Sequence, residues 1–508
     1  MEWLSISSIL LLLSNKTHAL NLGSLGNLGA VGELSIDQKI DQILQPIAQL
    51  FTSIIFYTIN LGGVDAPLIV IWLIIAAVVF TAYFGFISIR GFSHSCRVIR
   101  GDFSDTNDPG ETTHFQALTT AISGTVGLGN IAGVAIAVSI GGPGATFWMM
   151  LAGFLGMSTK FLECTLGVKY RQINAAGEVR GGPMYYLSEG LFQLGHHKSG
   201  KVLAYFFAVC CIVASLCGSN MLQANQAYQQ FVTAIGSEQG FWANNGWLFG
   251  TLLALIIGIV IIGGIKSIAK VTEKIVPLMA GIYLSAALFI LAYHYADIPH
   301  AFGLIIDGAF NPTGVVGGMV GVMLQGFKRS AFSSEAGMGA ASIAHATAST
   351  KEPVREGYVA LIEPFIDTVI ICTITALVIV ITGSYQTVEG ISGVTLTSNA
   401  FASVIWWFPY VLSVCVLLFA ISTMISWAYY GSIAWAFVFG ESKKLAMLYK
   451  LIFCSATIIG ASASLGAIIA ISDSAFFSMA IANIIGLYLL APQVKRDLIK
   501  YQKAYLQS

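Results

Sequence analysis

The chain has 508 residues with 25 basic and 25 acidic side chains, so it carries no net charge, and 56% of its residues are hydrophobic against 10% charged. Together with a mean hydropathy of +0.78, this leaves no soluble domain of any size and implies an all-α polytopic membrane protein. Soluble-enzyme classes drop out. No basic stripe offers a nucleic-acid surface, and none of the eight cysteines has a metal-ligand or disulfide spacing.

In chain order, residues 1–20 hold a short apolar run, Ile9 to Leu13, ahead of Thr17-His18-Ala19. This fits a cleaved signal peptide or an extracellular tail, and Glu2 with no positive charge before the run leaves both open. Residues 21–65 form an extracellular or interfacial segment. Within it, 37–62 has helical amphipathic spacing, suited to a helix on the outer membrane surface or an ordinary lead-in. A transmembrane domain follows over 66–495 and a cytoplasmic tail over 496–508. Eleven runs are long enough to cross a bilayer, roughly 66–89, 115–140, 144–170, 202–221, 245–264, 275–295, 313–332, 357–383, 402–438, 449–471 and 474–492.

The basic residues order these spans. Arg97 and Arg100 follow span one, Lys169, Arg171 and Arg180 span three, and Lys266 and Lys270 span five; Lys328, Arg329, Lys351 and Arg355 follow span seven. Lys443 follows span nine and Lys495 span eleven, while the alternate loops hold none. The positive-inside rule places these loops and the C-terminus in the cytoplasm of an inner (plasma) membrane, and the N-terminus outside.

With span one set aside, ten spans split into five and five, and an odd repeat length makes the halves inverted. The first span of each half is rich in glycine: Gly124, Gly127 and Gly129 in span two, and Gly317, Gly318, Gly321 and Gly326 in span seven, continued by Gly337 and Gly339. Lipid supplies no partner for freed backbone groups, so an interrupted helix at membrane depth lines a protein cavity or holds a ligand. Two such discontinuous helices at matching positions of inverted halves point to a midplane site and an ion-coupled carrier. Close helix packing is the competing explanation for the glycines. Asn130, a polar side chain where the helix resumes, favours a site.

The stretch Gly124-Thr125-Val126-Gly127-Leu128-Gly129-Asn130-Ile131-Ala132-Gly133-Val134-Ala135, with Arg180-Gly181-Gly182-Pro183-Met184-Tyr185-Tyr186 and Phe332-Ser333-Ser334-Glu335-Ala336-Gly337-Met338-Gly339, resembles the alanine/glycine:cation symporter family from about residue 66 to 495. Ser334 departs from the family pattern, which usually has Asn. The resemblance implies a fold similar to that of the bacterial leucine transporter, a 5+5 inverted repeat with one extra leading helix. It also implies sodium-driven uptake of small neutral amino acids such as alanine and glycine, with sodium as coupling ion and no other cofactor. A proton-coupled amino-acid permease is the alternative.

A zwitterion needs donors for its carboxylate and acceptors for its ammonium group. The half-helix starting at Gly129 and Asn130 offers unpaired N–H groups and a positive dipole end, and carbonyls around Thr125 and Val126 face the ammonium group and the cation. Sodium wants oxygen ligands. By analogy with the leucine-transporter fold, the hydroxyls of Ser422 and Thr423 and the carbonyls of Ser123 and Val126 form one sodium site; bonding of both hydroxyls back to their own helix is the competing reading. The expected pocket walls are Gln325 and Phe327 at a break in span seven, Trp427 one turn beyond Thr423, and Gly218 in span four. Glu363 and Asp367, one turn apart in span eight, are intramembrane acids. Their candidate roles are a gating ion pair, with Arg355 as a possible base, a proton-sensitive element or a hydrogen-bond hub. Glu163 and Lys160 are expected to form a structural pair.

Overall fold

The computed structural model describes residues 36–505 except 62, 106, 175–176, 236–239, 313–316, 387–392 and 463–465. The possible signal peptide therefore lies outside the described residues. Helix α1 (Ile36–Ile55) leads into a hairpin of β1 (Thr58–Leu61) and β2 (Val64–Pro67), so the helical reading of 37–62 ends at residue 55. Phe56 then packs on Phe477, with ring centroids 5.1 Å apart. Pro67, which cannot donate a backbone hydrogen bond, starts α2 (Leu68–Tyr83), apolar around its whole circumference.

Each predicted span contains a helix. α3 (Phe92–Arg100) follows span one, and span two is split into α4 (His114–Thr125) and α5 (Gly129–Gly141), bent by 53°. Next come α6 (Ala145–Lys169), α7 (His197–Ala234), α8 (Gly246–Ile262) and α9 (Gly264–Tyr293). The second half has α10 (Ile298–Phe310), α11 (Gly318–Ser334), α12 (Ala341–His345) and α13 (Pro353–Ile381). It ends with α14 (Val394–Ala402), α15 (Phe408–Phe439), α16 (Lys443–Ser462) and α17 (Gly466–Tyr505). Among the described residues six helices are long and apolar enough to cross a membrane alone, or seven with the bent pair as one span. The helix α6 carries Lys160 and Glu163, both fully buried by protein, which is how it departs from a lipid-facing composition.

The structure changes three boundaries. The boundary between the spans at 449–471 and 474–492 moves: α16 ends at Ser462 and α17 already runs through Ser472-Asp473-Ser474, with Ser472 and Ser474 turned into the protein (0% and 1% exposed). Span nine, expected from 402, becomes helix α15 only at Phe408: residue 402 ends a separate helix, α14, and exposed Trp406 and Trp407 lie between the two. Lys328 and Arg329 lie inside α11 instead of a following loop, with Lys328 5.0 Å over the Phe56 ring and both within electrostatic reach of Asp473 on α17.

The loops after odd-numbered spans share one face. Arg171 donates to the carbonyls of Pro109, Ala346, Ala348 and Thr350 at 2.6–2.7 Å, Lys351 pairs with Asp108 at 3.0 Å, and Lys169 pairs with Asp497. These bonds cross between the loops after spans one, three and seven and the C-terminal helix. This is the basic face.

Candidate functional site

The first break lies where Val126 leaves the helix (φ −73°, ψ 103°). Asn130 holds it open: its Oδ1 accepts the Gly127 amide at 2.8 Å, and its Nδ2 donates to Asp367 Oδ1 at 2.6 Å and Ser333 Oγ at 3.1 Å. Ser333 and Thr368 donate to the other Asp367 oxygen at 2.8 and 2.6 Å. Thus α5, α11 and α13 meet on one buried carboxylate that accepts three side-chain hydrogen bonds. Asp367 is a hydrogen-bond hub here.

Two glycines let neighbours reach the break. A Cβ on Gly127 would stand 2.9 Å from Thr423 Oγ1, and one on Gly129 would stand 3.4 Å from Ser333 Cα. Thr423 Oγ1 donates to the Ser123 carbonyl at 3.1 Å across the α4–α15 contact. Ser422 behaves differently: its hydroxyl bonds back to Phe419 O at 2.9 Å, while its carbonyl accepts from Ser123 Oγ at 2.6 Å. Thr125 also bonds back within its helix, at 3.3–3.4 Å. Ser426 was missed in the sequence, yet its hydroxyl donates to Thr120 O and lies 3.0 Å from Ser123 Oγ. Its spacing of three from Thr423 was the available signal. Ser123, Val126, Thr423 and Ser426 are all buried, so hydroxyl and carbonyl oxygens are gathered at the end of α4.

The second break differs from the one expected. The helix α11 runs unbroken through Gln325, Gly326 and Phe327, and the chain leaves it at Glu335, with φ +54°, followed by Gly337 at +93° and Gly339 at +82°. Glycine packing explains the error: Gly326 presses on Trp148 and Ala145, and Gln325 lies against Gly141, at the far end of α5 from the first break. The second break is held by Glu163, which accepts the Gly337 amide at 2.9 Å and Asn483 Nδ2 at 2.7 Å. Acid and break are therefore exchanged between the halves, Asp367 serving the first break and Glu163 the second.

The two aromatic residues expected to cap one pocket stand apart. Phe327 lines a small void of about 30 Å³ with Val70, Ala152 and Gly156. Trp427 instead packs on Phe476 (4.9 Å) and Tyr430 (5.3 Å). Phe332, next to Ser333 and 3.9 Å from where a Cβ on Gly129 would stand, packs on the same Phe476 at 5.6 Å. Gly218 abuts Phe476 and Ser472 closely enough to exclude any side chain. Phe332, Phe476 and Trp427 thus form the aromatic wall beside the first break. On the basic face, a cavity of about 710 Å³ reaches Tyr429, two residues beyond Trp427; Glu111, Arg180, Lys266 and Glu441 line it. Arg180 of the Arg-Gly-Gly-Pro motif faces Glu441 there at 3.6 Å.

Glu363 has a different partner from the expected Arg355. Lys160 binds it at 2.9 Å, both fully buried. The expected Glu163–Lys160 pair is not formed because Glu163 turns to Gly337 and Asn483, and Arg355 points away to Asp108 and the Phe103 carbonyl.

Residues 50–508 match the family described as the sodium:alanine symporter family. The chain belongs to the sodium:alanine symporter family. It is 38% identical to the sodium/alanine symporter AgcS of Methanococcus maripaludis over 85% of this chain and 94% of that one. It is 32% identical to the probable sodium/glutamine symporter GlnT of Bacillus subtilis over 86% of this chain and 88% of the relative. Among solved structures, MhsT in complex with L-phenylalanine matches with a TM-score of 0.54 at 16% identity, covering 75% of this chain and 89% of that one. At that identity the likeness establishes the fold alone. This symporter is accordingly a multi-pass membrane transporter and not an enzyme.

Proposed function

We propose that this symporter imports small neutral amino acids, alanine and glycine, together with sodium by alternating access. The observation that carries the reading is the meeting of Thr423 Oγ1 with the Ser123 carbonyl at 3.1 Å directly beside Gly127. Oxygen atoms suited to a hard cation stand there against the helix break. Sodium sits among the carbonyls of Ser123 and Val126 and the hydroxyl of Thr423. The Ser422 side chain joins only by rotating away from Phe419. The substrate carboxylate faces the amides at Gly129 and the start of α5, its ammonium group faces carbonyls near Thr125 and Val126, and its side chain meets Phe332, Phe476 and Trp427. Gln325 and Phe327 are left outside this pocket. The basic face is the cytoplasmic one, as the positive-inside rule requires, so the N-terminus is outside and the cavity at Arg180 and Glu441 is the exit.

A proton carrier at Asp367 is disfavoured by three donors already directed at its carboxylate. The test is uptake of radiolabelled alanine and glycine into proteoliposomes at fixed pH. Replacing external sodium by potassium or choline abolishes concentrative uptake of both; sodium-independent uptake driven by a pH gradient overturns the assignment.

A further inference from the structure

Beyond Lys160 and Glu363, the buried charges continue. The Nε2 of His345, the last residue of α12, lies 3.7 Å from Glu363 Oε2, and neither atom has a hydrogen-bond partner among the described residues. Its Nδ1 meets Glu356 Oε1 at 2.6 Å, and His114, the first residue of α4, meets Glu356 Oε2 through its own Nδ1. His114 is 3% exposed and the other four residues are fully covered. This chain of five titratable groups links the basic-face ends of both broken helices, α4 and α12, to α6 and α13.

Backbone bonds reinforce the junction. The Glu111 amide donates to Thr347 O and the Ser349 amide to Thr112 O, both at 2.8 Å, and Arg171 clamps the same segments through its four carbonyl contacts. The ends of the two broken helices are therefore one unit. Its other charged neighbours are Glu163 on α6, Arg171 just beyond that helix, Asp367 on α13 and Glu335 at the second break, with Cys164 and Tyr430 also facing it.

One ammonium group and two carboxylates leave the chain one negative charge in excess. An uncompensated charge in a dry interior is costly. A single proton shared with one of the two imidazoles removes the excess. Only His345 reaches a second carboxylate, so a proton on its Nε2 closes the gap to Glu363 Oε2 while Nδ1–H donates to Glu356. His114 meets one carboxylate, and its buried Nε2 has no hydrogen-bond partner among the described residues.

We propose that the His345–Glu356–Glu363 junction binds one regulatory proton from the cytoplasm, and that this proton keeps the cytoplasmic ends of the two broken helices joined. The proposal rests on the orientation given above and concerns regulation, separate from the ion that drives uptake. The joined state binds the proton more tightly than a hydrated, separated state does. It is therefore favoured as pH falls and is released as pH rises. Linkage for one proton limits the effect to about tenfold per pH unit.

The test is amide hydrogen exchange on the full-length protein in lipid nanodiscs, with saturating sodium and alanine, and with rates corrected for the intrinsic effect of pH. Protection of the peptides spanning 111–118 and 341–349 falls at least about threefold between pH 6 and pH 8 in the natural sequence. It stays constant in His345→Gln and keeps its fall in His114→Gln. Constant protection in the natural sequence, or an undiminished fall in His345→Gln, overturns the proposal. If His345→Gln does not fold, histidine 13Cε1 NMR of the natural sequence decides, with the His114 signal assigned from His114→Gln. One further imidazole must lose its proton over the range in which protection falls, and absence of such a signal counts against the site. Alanine uptake by the same protein in proteoliposomes separates the two claims, because sodium-independent uptake sinks the transport reading without altering the exchange result.

Discussion

Gly127→Ala probes the contact between the helix break and the oxygen cluster. The added Cβ stands 2.9 Å from Thr423 Oγ1, too close to remain, and that hydroxyl is held by the Ser123 carbonyl at 3.1 Å. Either the hydroxyl moves off the carbonyl or the break shifts away from α15. Overpacking of this kind costs about 1–3 kcal/mol, which corresponds to roughly a five- to 150-fold loss of affinity if it falls on the sodium-bound state. Gly129→Ala meets only an ordinary contact at 3.4 Å, and Gly133→Ala meets nothing within 4 Å. The assay is the sodium activation curve of alanine uptake in proteoliposomes for the three variants. The expected order is a large rightward shift for Gly127→Ala, less than about a threefold shift for Gly129→Ala and none for Gly133→Ala. A Gly127→Ala protein that is folded, active and unshifted refutes the placement of the cation beside Thr423.

Trp427→Leu should let valine compete with alanine roughly ten- to 200-fold better, whereas Phe327→Ala leaves the competition order unchanged because its ring lies in the void near Val70. The opposite ranking in a competition assay would return the wall to Phe327. Lys160→Met strands Glu363 and costs about 3–5 kcal/mol; adding Glu363→Gln recovers most of the thermal stability, and equal damage in single and double variants would contradict the pair. Burial, then Arg97 and Arg355, lowers His94 from 6.5 to about 4, so the folded chain stays neutral there while the unfolded chain takes up a proton. Stability therefore falls as pH drops from about 6.5 to about 4, and His94→Gln flattens that part of the melting-temperature profile; an unchanged slope would show that His94 contributes nothing.

The sequence disclosed the membrane class, the segments that become helices and the first break because each rests on local signals: apolar length, basic loops and glycines beside Asn130. The second break was misplaced because glycine serves two ends. Gly326 makes room for Trp148 and Ala145, while Gly337 and Gly339 adopt positive φ, and a sequence does not distinguish close packing from a turn. The pairing of Lys160 with Glu363 and of His114 with Glu356 joins helices more than 200 residues apart in the chain. No spacing rule reaches that distance. The boundary expected between 471 and 474 fails for a related reason: polar residues normally mark a loop, and here Ser472 and Ser474 are covered by neighbouring helices. Thr423 was legible as a hydroxyl in an apolar helix, and Ser422, its neighbour, follows the competing reading of a bond back to its own helix.

Coupling between sodium and alanine across the first break is the central claim, and equilibrium binding tests it most directly. Alanine affinity is measured at saturating and at zero sodium, and sodium affinity at saturating and at zero alanine, on the purified natural sequence and on Thr423→Ala. Linkage requires that each ligand raise the affinity of the other by the same factor. The account predicts equal factors of at least about tenfold in the natural sequence, collapsing toward one in Thr423→Ala while alanine still outcompetes larger amino acids. Alanine binding with the same affinity in sodium and in potassium would contradict it.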